Sequence, residues 1–180
     1  MSQRPSGYTK IPLGAYYTPT WVTEALLGSI VARPGTIWEP AAGQCDMVRV
    51  LTEQFVVLAT DLAEGVDFLA TKALPNPSIR GIVTNPPYDH AEAFCAHALE
   101  LVKPVQGFVA MLLRCDFDHA KTRGYLFRDC PAWSKKLVLT KRIVWFVEEN
   151  GKPKASPSFN HAWFIWSHKH FGPATIEYGP

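Results

Sequence analysis

Residues 79–88, IRGIVTNPPY, decide the fold that the sequence predicts. The apolar, β-branched run at Ile79–Thr84 is typical of a buried strand. It stops at Pro86 because a proline has no N–H for a sheet hydrogen bond. A helical pattern follows at about residues 90–102. A buried strand that leads through a short turn into a helix is the repeating unit of a parallel sheet covered on both faces.

The rest of the chain repeats this alternation of strands and helices. We predict helices at 20–31, with Thr20 as N-cap, and at 46–54, and strands at 36–38, 55–60 and 107–113. Two β-rich runs with no helix between them, 136–147 and 162–168, are predicted to form an antiparallel pair at the sheet edge. The pattern therefore predicts an α/β fold, a single doubly wound, mostly parallel sheet with an antiparallel strand near the C-terminus.

The size and composition favour one compact domain. The chain has 180 residues, 47% of them apolar, and no apolar run reaches the roughly 18 residues of a membrane span. Residues 1–15 are polar and rich in proline and glycine, so we expect an irregular arm before a domain at 16–180. No hydrophobic segment follows the first charges, and the four cysteines form no CxxC pair. These features predict a cytoplasmic protein with reduced thiols.

The net charge of +2 conceals an uneven distribution of charged side chains. Residues 1–90 carry six basic and eight acidic groups, whereas residues 103–154 carry eleven basic and five acidic groups. An acidic half suits a cationic small molecule, and a basic half suits contacts with a polyanion. Ordinary solvated lysines and arginines would give the same counts.

Polar residues follow three predicted strands at the points where they end. Glu39-Pro40-Ala41-Ala42-Gly43, Asp61 and Asn85-Pro86-Pro87-Tyr88 should meet in one cleft, because ligands of open α/β sheets bind at the carboxyl ends of strands. Gly43 permits a tight turn close to a ligand. Asp61 is spaced to accept hydrogen bonds from ribose hydroxyls, beside Leu62, which could lie against a flat base. A glycine in a plain strand–helix turn would give the same pattern as Gly43, and an aspartate that only caps a helix would give the same pattern as Asp61.

The segment Asn85-Pro86-Pro87-Tyr88 also has two interpretations. It is either a stiff turn that only ends a strand, or a clamp for a substrate. The Asn85 side-chain oxygen and the Pro86 carbonyl could accept both hydrogens of a planar amino group, while Tyr88 stacks on the ring that carries it. Such a clamp would aim the nitrogen lone pair at an electrophile, which is catalysis by positioning.

Five short motifs occur in a fixed order: YTP at 17–19, WEPAAGQCD at 38–46, ATDL at 59–62, VDFL at 66–69 and TNPPY at 84–88. In this order they resemble the amino-methyltransferases that use S-adenosylmethionine. The sequence is most similar to the γ-ordered DNA adenine-N6 methyltransferases, especially small phage or prophage members. The resemblance covers residues 16–114 and continues more loosely through 142–146 and 161–166. It implies a Rossmann-like class I methyltransferase fold with S-adenosylmethionine as cofactor.

The resemblance also implies a role for each motif residue. The cofactor would be bound by Tyr17, Thr18 and Pro19 at its methionine end, by the loop of Glu39, Pro40, Ala41 and Gly43, by Asp61 at the ribose, and by Leu62, Asp67 and Phe68 at the adenine. The target amine would be held by Asn85, Pro86, Pro87 and Tyr88. The sequence departs from the family pattern at Cys45, where a second glycine is usual.

The substrate that the resemblance implies is DNA. Its adenine would be flipped out of the duplex or captured from a single strand. Basic residues would contact phosphates: Arg114, Lys121, Arg123, Lys141 and Arg142, with Lys152 and Lys154 in a target-contacting loop at 148–161. We expect no separate target-recognition domain, so specificity would be loose or would come from loops, a homodimer or an accessory subunit. We expect no metal site and no membrane contact.

Two further interpretations stay open. The same NPPY motif serves methyltransferases that act on an RNA base or on a protein glutamine amide. A catalytically inactive nucleic-acid-binding module is the alternative from another class, although such a module would be free to lose Asn85 and Asp61.

Overall fold

The computed structural model describes residues 18–30, 35–145 and 159–180. Within them a single sheet has the strand order β2-β1-β3-β4-β6-β5-β7. The strands are β1 Thr36–Glu39, β2 Val56–Ala59, β3 Ile79–Thr84, β4 Phe108–Arg114, β5 Trp133–Leu139, β6 His161–Ser167 and β7 Thr175–Gly179. The helices are α1 Thr20–Ser29, α2 Asp46–Leu51 and α3 Ala91–Val102. Short 3₁₀ helices lie at Leu62–Glu64, Phe68–Ala70, Tyr88–His90, Phe117–His119 and Lys121–Leu126.

The strand directions confirm the predicted fold class. β1 pairs in parallel with β2 and β3, and β3 pairs in parallel with β4. β6 runs antiparallel to both of its neighbours, β4 and β5, and β7 pairs in parallel with β5. The result is a mostly parallel sheet with one reversed strand near the C-terminus.

Buried side chains form two clusters, one on each face of the sheet. Because successive strand residues point to opposite faces, Trp163 and Ile165 of β6 pack beneath α1 and α2, whereas Phe164 and Trp166 pack beneath α3. The Trp163 indole N–H donates to the Val22 carbonyl at 2.8 Å. These aromatic residues are core, as is typical of a β-rich run, and Trp163, Phe164 and Trp166 are all fully buried.

Several boundaries differ from the prediction. β5 spans Trp133–Leu139 instead of 136–147, because the chain leaves the sheet before the exposed pair Lys141-Arg142. α2 ends at Leu51, although the prediction extended it to residue 54. α1 ends at Ser29 and not at residue 31, because the backbone of Ile30 is already extended. Pro19, and not Thr20, occupies the N-cap position of α1.

The antiparallel pair β5–β6 was predicted at the sheet edge, and this position is wrong. β7 lies outside β5 and forms the edge. β7 was missed because Ile176 and Tyr178 are exposed, so the strand shows no buried apolar run. An ion pair holds it instead: Lys135 Nζ lies 2.7 Å from Glu177 Oε1. No helix in the described part of the chain is long and apolar enough to cross a membrane.

Candidate active site

A cavity of about 450 Å³ opens at the carboxyl ends of β1, β2 and β3. It brings together residues that are far apart in the sequence. Its lining includes eleven of the predicted site residues: Thr18, Glu39, Pro40, Ala41, Gly43, Asp61, Leu62, Asp67, Phe68, Asn85 and Pro87. The three polar strand ends therefore meet in a single cleft, and the NPPY turn shares that cleft with the loop after β1.

The loop after β1 is fixed to the end of β2 through Asp61. The Gly43 N–H donates to Asp61 Oδ2 at 2.9 Å, and the Ala63 N–H donates to Asp61 Oδ1 at 2.8 Å. Gly43 has a φ of +50°, and a β-carbon added there would meet no atom within 4 Å. The glycine is needed for its backbone conformation and not for lack of space. Asp61 is thus held rigidly at the cavity wall.

Glu39 is the most unusual group in the cavity. Only 2% of it is exposed, and its Oε2 atom has no hydrogen-bond partner among the described residues. Burial raises the pKa of Glu39 well above its usual range, and the nearby Asp61 and Asp46 raise it further, against a lowering by the Thr84 hydroxyl. A buried carboxyl group with an unused oxygen suits a cationic hydrogen-bond donor as ligand.

The cavity lining combines an exposed and a buried apolar residue. Leu62 is 57% exposed, which leaves its side chain available to pack on a ligand. Phe68 is buried, with its ring 5.1 Å from the Trp38 ring and 4.7 Å from the Phe94 ring, centroid to centroid. Asp67, which precedes Phe68 in the sequence, caps the 3₁₀ helix Phe68–Ala70, because its Oδ1 accepts from the Leu69 N–H at 2.9 Å.

Asn85 also lines the cavity and is held by a residue from the chain before α1. Its Nδ2 donates to the Thr18 hydroxyl at 3.3 Å, and Thr18 is itself buried. This contact turns the amide nitrogen of Asn85 toward Thr18 and so sets the orientation of the whole amide group. Pro87 lines the cavity beside Asn85, whereas Pro86 is buried behind them and is not part of the lining.

Tyr88 lies at the rim of the cavity and not in its wall. Its ring is 36% exposed, and its hydroxyl is 3.0 Å from Nε2 of His161, the first residue of β6. Sequence reasoning did not find His161. The available signal was a single histidine at the start of an otherwise apolar strand, which is most often a core residue.

His161 is neutral at pH 7. It is 2% exposed, and burial together with the nearby Arg114 charge lowers its pKa from 6.5 to about 4. Trp145 packs edge-on against it, with the ring centroids 5.2 Å apart. The imidazole is therefore enclosed on one side by an indole and hydrogen-bonded on another to Tyr88.

The predicted phosphate contacts are not equally placed for that role. The Arg123 guanidinium is engaged internally, 3.0 Å from Glu92 and 2.9 Å from the Phe117 carbonyl. Arg114 pairs with Asp116 at 2.6 Å and stacks on the Phe159 ring at 3.9 Å. Lys121 and Lys141 are exposed, and Arg142 donates to Asn160 at 3.0 Å.

Some predicted residues cannot be placed at the cavity. Pro19 is the N-cap of α1 and does not line the cavity. Tyr17, Lys152 and Lys154 lie outside the described residues, as do the predicted arm at 1–15 and most of the loop at 148–161. Over the described ranges, no three His, Cys, Asp or Glu side chains come together as a metal site would require.

Neither a protein-family model nor a curated protein matches the sequence. Solved structures match the fold. A protein of Listeria monocytogenes assigned to the class I S-adenosylmethionine-dependent methyltransferases matches with a TM-score of 0.56 at 13% identity, over 88% of this chain and 62% of that one. The type I restriction-modification methyltransferase subunit of Streptococcus thermophilus matches with a TM-score of 0.52 at 15% identity, over 86% of this chain and 45% of that one.

The 23S rRNA methyltransferase ErmE matches with a TM-score of 0.53 at 14% identity, over 84% of this chain and 69% of that one. At such identities the comparisons establish a likeness of fold alone. The chain therefore has the Rossmann-like fold of the class I methyltransferases. It spans about half the length of the Streptococcus subunit.

Proposed function

We propose that this chain transfers a methyl group from S-adenosylmethionine to an exocyclic amine, and that this amine is N6 of adenine in DNA. One observation carries the proposal. Asn85 and Pro87 of the NPPY turn line the same cavity of about 450 Å³ as Gly43 and Asp61. A cofactor site and an amine clamp that share one cleft are what a direct transfer between two bound molecules requires.

The residues of the cavity fit S-adenosylmethionine. Its methionine ammonium group is a cationic donor, which matches the unpartnered Oε2 of buried Glu39. The ribose hydroxyls would donate to Asp61, which two backbone N–H groups hold in place. The adenine ring would lie on exposed Leu62, and its amino group would donate to Asp67.

Bound S-adenosylmethionine would supply an electrophilic methyl group on a sulfonium ion. The protein would position the nucleophile: the Asn85 side-chain oxygen would accept one amine hydrogen and aim the nitrogen lone pair into the cavity. The acceptor predicted for the second hydrogen is the Pro86 carbonyl, which belongs to a buried residue outside the cavity lining. Thr18 assists, because it accepts from Asn85 Nδ2 and fixes the amide orientation. The amine needs no prior deprotonation. Once the methyl group has been transferred, the nitrogen loses its surplus proton through Asn85, Pro86 or water.

DNA is the substrate that the resemblance and the charge distribution favour. Tyr88 at the cavity rim offers an aromatic face to a flipped base. Exposed Lys121 and Lys141 are the predicted cations best placed for phosphate contacts, since Arg123 is engaged with Glu92 and Arg142 with Asn160. The Streptococcus structural neighbour is a methyltransferase subunit of a type I restriction-modification system, which supports DNA as the substrate and a partner subunit for this chain.

An RNA base is the second candidate, and the likeness to ErmE, a 23S rRNA methyltransferase, favours it. A protein glutamine amide and an inactive nucleic-acid-binding module are further alternatives that one assay separates. We would incubate the chain with S-adenosylmethionine labelled in its methyl group and with matched DNA, RNA and protein substrates. Nucleoside and peptide analysis would then locate the label.

We expect the label in N6-methyladenine of DNA. Label in RNA adenine alone would replace the substrate and keep the chemistry. Label in protein with unlabelled DNA would overturn the proposed substrate, and a chain that binds DNA but transfers no methyl group would support the inactive module.

A further inference from the structure

The contact between Tyr88 and His161 joins two distant parts of the chain at the mouth of the cavity. The Tyr88 hydroxyl and His161 Nε2 are 3.0 Å apart, although the residues are 73 positions apart in the sequence. The two rings are inclined at 37°, with centroids 6.3 Å apart. The hydrogen bond therefore connects the NPPY turn after β3 to the first residue of the antiparallel strand β6.

The sheet fixes the imidazole in place. His161 pairs with Arg114 in the antiparallel register of β4 and β6, so its backbone is set by the central strands. Its side chain is only 2% exposed, and the Trp145 ring closes over it at 5.2 Å. The Tyr88 ring, by comparison, is 36% exposed. The rigid partner is thus His161, and the partner whose orientation needs support is Tyr88.

The structure fixes the 3.0 Å separation, and the tautomer of His161 decides the direction of the hydrogen bond; we assign the phenol as its donor. A phenolic O–H is a stronger donor than an imidazole N–H, and an unprotonated imidazole nitrogen is a stronger acceptor than a phenol oxygen. The lowered pKa of His161, about 4, agrees with an imidazole that stays neutral and can accept at Nε2. His161 does not line the cavity, so it is not placed to take up the proton released by methyl transfer.

We propose that His161 is a positioning residue, which holds the Tyr88 ring at the angle required to stack on the target base. This inference rests on the proposed methyl transfer. In that reaction the ring must be in place before the base arrives, and a hydrogen bond from a buried neighbour reduces the number of orientations open to a half-exposed side chain. His161 is not among the residues that line the cavity, so it would act through Tyr88 and not directly on the cofactor or the target amine.

The test is a double-mutant cycle on kcat/KM for an adenine-containing oligodeoxynucleotide, with its RNA counterpart as second substrate. We expect Tyr88→Phe and His161→Leu each to lower kcat/KM roughly tenfold, the size of one lost hydrogen bond of this kind. The double variant should be no worse than either single variant, since both remove the same contact. His161→Gln places an amide near the position of Nε2 and should restore most of the activity.

A purely structural role for His161 would give a different result. Thermal unfolding and S-adenosylmethionine titration of each variant separate misfolding from misplacement, and we expect cofactor affinity to be unchanged throughout. Nitrogen-15 NMR of the imidazole adds a readout independent of activity: Nε2 should be unprotonated in the wild-type chain, and its chemical shift should move in Tyr88→Phe.

Three outcomes would count against the inference. Effects that multiply in the double variant, or a protonated Nε2 at pH 7, would overturn the role of His161 in an enzyme that is otherwise active. A wild-type chain that transfers no methyl group to any nucleic acid or protein would overturn the proposed function, and the role of His161 with it.

Discussion

At Cys45 the backbone adopts a φ of 61°, in the left-handed region where residues other than glycine are strained. Gly43, two residues earlier, lies in the same region at +50°. The family pattern expects glycine at both positions, and the structure supplies the physical reason for the second one: the loop turns there into α2, with Cys45 as its N-cap.

Replacing this cysteine by glycine should therefore stabilise the protein. We expect Cys45→Gly to raise the free energy of unfolding by about 0.5–1 kcal/mol, which is the left-handed strain of roughly 1–2 kcal/mol less the entropy that glycine adds to the unfolded chain. Cys45→Ala keeps the β-carbon and should change little. Urea unfolding of the three proteins measures this, and a destabilised Cys45→Gly would contradict the strain argument.

Glu39 shows a conflict between stability and binding in a single residue. A glutamine at this position removes a buried carboxylate, so we expect Glu39→Gln to be more stable at pH 8 by about 1–2 kcal/mol. The same change should weaken S-adenosylmethionine binding at least tenfold, because the methionine ammonium loses its charged partner. Calorimetric unfolding and ligand titration give the two quantities.

The pH dependence follows from the sign of the shift. Burial raises the pKa of Glu39 in the folded state above its ordinary value of 4.5, so the folded state binds the proton more tightly than the unfolded state. Its favourable contribution is present below pH 4.5 and is lost as the pH rises through the folded pKa. The stability gap between Glu39→Gln and wild type should therefore widen with pH. Exposed Glu53→Gln is the matched control, and an equal gap for both variants would refute the assignment.

At the scale of elements, close approach of β3 to the turn before β4 depends on Gly107. A β-carbon added there would lie 2.7 Å from the Arg80 backbone carbonyl oxygen and 2.9 Å from the Val102 β-carbon. Backbone atoms in the sheet cannot move aside cheaply, so the missing side chain is what lets α3 return closely into β4.

This contact predicts opposite effects for two glycine-to-alanine changes. Gly107→Ala should lower the free energy of unfolding by about 2–3 kcal/mol through overpacking. Gly28→Ala lies inside α1, where an added β-carbon meets no atom within 4 Å, and should raise stability by up to about 1 kcal/mol. Thermal unfolding compares the two, and a neutral Gly107→Ala would mean that the turn is looser than described.

Elements with strong periodic patterns were predictable from the sequence. β3 was predicted at Ile79–Thr84, where it is found, and α3 begins within a residue of its predicted start. β7 was not predictable, because it is held by the Lys135–Glu177 ion pair and by strand pairing, neither of which leaves a local apolar pattern. The end of β5 was predicted wrongly for a related reason: residues with high β-propensity continue beyond Leu139, whereas strand pairing ends there.

At the scale of the whole molecule, strand-end residues were predictable as a group but their partners were not. The rule that parallel strands end at one edge is enough to bring Glu39, Asp61 and Asn85 to the same cavity. The contacts that orient them come from far along the chain, Thr18 to Asn85 and His161 to Tyr88. Such pairs depend on register and packing, which a single sequence does not encode in any local pattern.

The central claim is that one cleft binds S-adenosylmethionine and that Asn85 holds the amine that receives its methyl group. Labelled methyl transfer to adenine-containing DNA by wild type and by Asn85→Ala, with cofactor affinity measured for both, tests this claim most directly. We expect transfer by the wild type, and in Asn85→Ala a loss of at least a hundredfold with cofactor affinity changed less than about threefold. Unchanged transfer in Asn85→Ala, or loss of cofactor binding in place of transfer, would contradict it.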